Sequence, residues 1–150
     1  MELDKNTLKD MIRSIIREEI GRSACGKSFR QADPSGIISV DSRALTLEDF
    51  PFPVDAKGVA LKDVFSIEES PRIGAGIMEL DHTSLPWTLT YDEIDYVISG
   101  TLEIITDGRK ITAREGCVLL IPKGSSITFS TPNHTRFLYV VYPANWSETA

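Results

Sequence analysis

Apolar residues recur at helical spacing near the start of the chain and at strand spacing beyond it. Leu8, Met11, Ile12, Ile15, Ile16 and Ile20 form one stripe, which predicts an amphipathic helix over residues 4–20. Lys9, Asp10, Arg13, Arg17 and Glu18 occupy its other faces. Asp4 or Asn6 can cap its start, and Gly21 stands where a C-terminal cap belongs. Such a stripe must be covered, either by the chain's own core, by a sister subunit or by a partner. Residues 22–36 are small and polar and read as a linker.

From residue 37 the pattern changes to short strands broken by turns. IISV, GVALKDVF, RIGAGIMEL, TLTYDEIDYVI, TLEIIT, KITA, CVLLIP, SITFS and RFLYVVY are the candidates. Asp107-Gly108 is a two-residue hairpin signal between Thr101–Thr106 and Lys110–Ala113. No segment after residue 40 has a helical period. Many short strands without intervening helices predict an all-β fold, a sandwich or a closed barrel. The expected organisation is a helix over 1–21, a linker over 22–36 and one barrel domain over 37–150.

Composition narrows the functions. The chain has 150 residues, enough for one domain with a real core. A net charge of −6 argues against nucleic acid, whose phosphates need a basic face. No apolar run is long enough to span a bilayer, and the first twenty residues lack the apolar centre of a signal peptide. The expectation is a cytoplasmic protein, with Cys25 and Cys117 as reduced thiols. Residues 21–28, GRSACGKS, match the phosphate-loop pattern by letter. They lack the preceding apolar strand and following helix that aim backbone amides at a phosphate, so only the charge of Lys27 is left as an anion contact.

WTLTYDEIDYVISG, residues 87–100, resembles the first cupin motif, with Glu93 and Gly100 in place. Gly116, Pro122 and Gly124 match the second motif. The resemblance implies a single-domain, jelly-roll-like cupin barrel preceded by the short N-terminal amphipathic helix. Gly100 and Gly124 suit sharp corners, and Pro122 suits a strand end. The family's metal-binding histidines are missing. Their positions hold Trp87 and Leu89, or Pro86 and Thr88, and then Ile127. The chain's two histidines, His82 and His134, sit in turn-like sequences and read as surface residues. No transition-metal site is expected.

Strand alternation places Glu93 and Asp95 on one inward side. Two enclosed carboxyls repel; they can share a proton, raise a pKa, or hold a hard cation such as Mg²⁺. Trp87 and Phe129 would line the same cavity, with Tyr91 and Asp92 at the mouth. The plain alternative is that both carboxylates are paired with Arg or Lys and do no chemistry. For Tyr96, Tyr139 and Tyr142, core packing is the default reading.

Leu85–Leu89, Tyr91–Asp95, Ile121–Ile127, Arg136–Val140 and Pro143–Trp146 together closely resemble the EutQ proteins of bacterial ethanolamine utilisation. That resemblance implies work in or near a microcompartment and an acetate kinase, a phosphotransferase that converts acetyl phosphate and ADP to acetate and ATP. Mg²⁺ and ATP/ADP are implied with it. In that reaction Glu93 and Asp95 are the candidate catalytic and Mg²⁺-binding residues. Trp87, Tyr91, Phe129, Lys123 and Arg136 are candidate substrate-binding residues, the last two for phosphate. A homodimer is expected, and the N-terminal helix becomes a candidate tag for shell or cargo proteins. The competing readings are a non-catalytic scaffold or small-molecule-binding module, and a metal-free isomerase using Glu93 and Asp95 as acid and base.

Overall fold

A computed structural model describes residues 29–50 and 56–148. The helix expected over residues 4–20 and the phosphate-loop pattern over 21–28 lie outside these. The chain divides into two units, one up to Ala44 and the other from Leu45.

In the first unit, β1 (Arg30–Ala32) pairs antiparallel with β2 (Ile38–Val40). Residues 30–32 therefore form a strand inside the stretch read as linker. The turn between them explains why. Asp33 Oδ1 accepts the Ser35 amide at 2.9 Å, and the Gly36 amide donates to the Asp33 carbonyl at 2.9 Å. An aspartate that folds the chain back on itself makes a hairpin from polar residues.

The second unit is a curled sheet of nine strands, the all-β cupin barrel that the sequence predicts. In chain order they are β3 (Glu48–Asp49), β4 (Val59–Asp63), β5 (Gly74–Asp81), β6 (Ser84–Thr88) and β7 (Asp92–Thr106), followed by β8 (Arg109–Arg114), β9 (Val118–Ile121), β10 (Ser126–Ser130) and β11 (His134–Tyr142). The hydrogen-bonded path runs β3-β4-β5-β11-β7-β10-β6, with β8 and β9 also paired to β7.

β7 links the two walls. Its first half pairs with β9 and β11, and its second half with β8 and β10. Between them the register with β11 shifts: Phe137 faces Val97 while Arg136 faces Ser99, leaving Ile98 as an extra residue. Such a bulge bends the strand. Gly100, at φ 77°, lies just beyond it against the carbonyl of His134. The sequence pattern divides this stretch into two strands at Gly100; the structure shows one strand that bends there. The same pattern merges residues 88–98, where the structure ends β6 at Thr88 and starts β7 at Asp92. The hairpin at Asp107-Gly108 forms as expected, with both residues at positive φ and Thr106 paired to Arg109.

Alternation sorts the core. Val97, Leu102, Phe137, Leu80, Leu85 and Leu89 are fully buried. The rings of Phe129 and Phe137 stack at 6.1 Å. The outer face is different: Ile94, Tyr96, Val118 and Leu120 are exposed, and Ile94 pairs with Leu120 as Tyr96 pairs with Val118. Tyr96 and Tyr142 are exposed, so core packing holds only for Tyr139 among the three tyrosines left open above. Both histidines are exposed, His82 with Nδ1 2.6 Å from Asp81 Oδ1. No described helix is long and apolar enough to cross a membrane.

Candidate functional site

The barrel encloses a pocket of about 30 Å³ whose walls include Phe50, Trp87, Tyr91, Glu93, Phe129 and Tyr139. That is room for about two water-sized groups. Four of the residues singled out from the sequence meet here: Trp87, Tyr91, Glu93 and Phe129.

An aromatic chain forms one wall. The Trp87 ring lies 5.6 Å from Phe50 and 6.4 Å from Trp146, and Tyr91 lies 5.8 Å from Trp146. Edge-on packing at these distances suits the ring quadrupoles. Trp87 Nε1 donates to the Tyr91 hydroxyl at 2.8 Å, which satisfies a half-buried indole and fixes both rings.

The opposite side is acidic. Glu93 is 5% exposed and Asp95 fully buried, both on the inward face of β7. Among the described residues no backbone or basic side-chain donor reaches either Asp95 oxygen, and the group that faces it is the neighbouring Glu93 carboxyl. Among the described residues no ion pair joins Glu93 or Asp95 to a Lys or Arg, so the plain pairing alternative does not hold there. Burial raises the pKa of both carboxyls, and the charge of Asp95 raises Glu93 further. Asp95 is pushed up to about 7. Burial likewise raises the Tyr91 and Tyr139 phenols.

Cross-strand register explains the missing partner. Asp63, Gly76, Tyr139 and Asp95 lie in one row across β4, β5, β11 and β7. The Tyr139 ring lies over Gly76, and its hydroxyl donates to Asp63 Oδ1 at 2.6 Å. The one donor in that row is thus committed away from Asp95. The sequence pattern marks neither Tyr139 nor Phe50 as a pocket residue, and Trp146 enters it only through the family-like segment Pro143–Trp146. Only their aromatic character signalled them.

The two basic candidates are elsewhere. Arg136 projects to the outer side of β11, opposite to the inward Phe137 and Tyr139, and pairs with Glu79. Lys123 is on an exposed turn, held by its backbone amide to Asp92 Oδ1 at 2.8 Å. Neither lines the pocket.

The residues present do not fit a resident metal. Trp87, Leu89 and Ile127 offer no donor at the histidine positions, and Ile127 pairs across strands with Trp87. No group of three or more His, Cys, Asp or Glu side chains gathers among the described residues. Two carboxyls, of which Glu93 alone lines the pocket, supply a minority of the six oxygens that Mg²⁺ requires, and the pocket has room for only about two waters more.

Comparison with known proteins places this geometry. The family described as "Ethanolamine utilisation protein EutQ" matches residues 3–148. The protein named "Acetate kinase EutQ" in Clostridioides difficile strain 630 is 47% identical over 97% of this chain and 95% of its own length. The one of that name in Escherichia coli K12 is 32% identical over 97% of this chain, which spans only 63% of that longer relative. The solved structure of the Clostridium difficile EutQ protein superposes with a TM-score of 0.75 at 47% identity, covering 81% of this chain and 90% of the other. A match over nearly the whole chain, on a barrel of the same shape, means that this chain belongs to the EutQ family of ethanolamine-utilisation proteins.

Proposed function

We propose that this chain acts in ethanolamine utilisation as an acetate kinase. A terminal phosphate oxygen of ADP attacks the phosphorus of acetyl phosphate, the acyl oxygen–phosphorus bond breaks, and acetate leaves with the electron pair. The observation that carries this reading is the 47% identity, end to end, to a relative named for that activity. Phosphoryl transfer needs positioning and charge neutralisation more than covalent help. Glu93 is the inward carboxyl at the pocket, its pKa raised by burial, and Lys123 is the cation on the turn tied to Asp92.

The test is ATP formation by the purified chain from acetyl phosphate, ADP and Mg²⁺. The expected result is turnover, abolished by Glu93→Gln. Turnover that survives the substitution would remove the carboxyl pair from the mechanism.

One observation favours a second reading. Among the described residues no basic side chain lines the pocket, and a space of about 30 Å³ admits no nucleotide. In this reading the barrel is a small-molecule-binding module of the compartment. The same assay separates the two, since the module gives no ATP.

The same reading places the protein in a cytoplasmic microcompartment, with residues 1–20 as the tag for shell or cargo. A fluorescent fusion lacking residues 1–20 is expected to lose encapsulation; unchanged encapsulation removes the tag. The exposed apolar pairs on β7 and β9, an edge strand among the described residues, support the homodimer. Leu120→Glu is expected to give a monomer by sedimentation.

A further inference from the structure

We propose that the barrel pocket binds a small organic ammonium ion, its nitrogen against Glu93, with the Asp95 carboxyl beside it on β7, and its carbon atoms against the aromatic wall. This rests on the reading of the barrel as a small-molecule-binding module and names the ligand class.

Three observations converge on that class. The first is an unanswered demand for donors. Among the described residues the Glu93 carboxyl alone is placed to bond to fully buried Asp95, and Glu93 itself lines the pocket. A buried polar group without a partner is costly, so its complement brings hydrogen-bond donors. The second is charge. Among the described residues every titratable lining group is an acid, Glu93 from β7, Tyr139 from β11 and Tyr91 from the turn before β7. Asp63 on β4 adds a further carboxyl but is already bonded to Tyr139. An anion would meet only acids; a cation meets the Glu93 carboxyl, with that of Asp95 next to it. The third is the opposite wall. Phe50, Trp87, Tyr91 and Trp146 are held in a linked aromatic chain. Aromatic faces attract organic cations and give a hydrated metal ion little.

Size and polarity narrow the class further. The space admits a head group and a tail of one or two carbons. A primary ammonium fits better than a quaternary one, because the Glu93 carboxylate accepts hydrogen bonds from N–H groups that a quaternary ion lacks.

Binding is coupled to protonation. The carboxyl pair holds a proton when empty, and an arriving cation displaces it. Affinity therefore rises between about pH 6 and about pH 8, with proton release on binding.

The experiment is calorimetry on the full chain with ethylammonium, tetramethylammonium, acetate, ethanol and Mg²⁺ in parallel, without nucleotide. Saturable binding of ethylammonium alone is expected, with heat that varies with buffer ionisation. Asp95→Asn and, as a second folded variant, Glu93→Gln should each weaken it by about tenfold or more. Wild-type NMR with ethylammonium should shift the indole N–H signal of Trp87, a readout that needs no variant. Preference for acetate, ethanol or Mg²⁺ would overturn the ammonium assignment and leave the binding module standing. Silence from all five would overturn both.

Discussion

Tyr139 donates its hydroxyl to Asp63 across 2.6 Å, turning away from Asp95, the residue directly opposite it on β7. This choice keeps a carboxyl unpartnered inside the barrel. It depends on Gly76, whose missing side chain leaves room for the ring. A methyl at Gly76 would overlap the Tyr139 ring and press on the Lys62 carbonyl. Gly76→Ala is therefore expected to destabilise the chain by about 2 kcal/mol, read as a lower urea midpoint. An unchanged midpoint would mean that the ring does not rest there.

The Trp87–Tyr91 hydrogen bond fixes the aromatic wall. Trp87→Phe and Tyr91→Phe each remove it, and a double-mutant cycle should give a coupling of about 1 kcal/mol. Additive losses would show that the two rings are held independently.

Gly100 combines a positive φ with contact against the His134 carbonyl. Gly100→Ala faces both obstacles and is expected to cost about 2 kcal/mol or more, seen as a fall in melting temperature. The bend of β7 is the feature under test, so the loss should exceed that of Gly108→Ala, which has open space around it.

Burial holds Asp95 up to about 7, above its ordinary 3.8, and Glu93 moves the same way. An acid with a raised folded pKa binds its proton more tightly in the folded chain. Its contribution is fully present below the unfolded value and is lost as pH rises through the folded one. For Asp95 the loss spans about pH 4 to about pH 7 and totals about 4 kcal/mol. Asp95→Asn removes the ionisation. Its urea-unfolding stability should fall less steeply across that window and exceed wild type near about pH 8. Parallel profiles would contradict the assignment.

The strand pattern reveals the barrel because alternation survives in β10, β11 and the first half of β7, and Glu93, Asp95 and Val97 fall inward as parity requires. Trp87, Tyr91 and Phe129 follow from the same rule. The pattern fails where geometry is not periodic. Gly100 reads as a strand end because the glycine is visible, while the bulge at Ile98 that carries β7 through the bend is not. Arg136 reads as a phosphate ligand from its place near the motifs, yet parity alone turns it outward to Glu79. Tyr139 joins the pocket through a contact with Gly76 on β5, its neighbour in the sheet but six strands earlier in the chain, and no local signal carries that. Asp33 makes a hairpin where low hydrophobicity suggested a linker, because a side-chain hydrogen bond replaces a core.

The central claim is that an unpaired acidic couple, holding a proton at neutral pH, occupies the barrel where histidines are missing. Carbon NMR of labelled Glu and Asp carboxyls across a pH titration tests it directly. The account predicts that the Asp95 and Glu93 signals stay protonated through the acid range, with Asp95 titrating near about 7 and the Glu93 transition changing in Asp95→Asn. Both signals titrating near the ordinary carboxylate value of about 4 would contradict it.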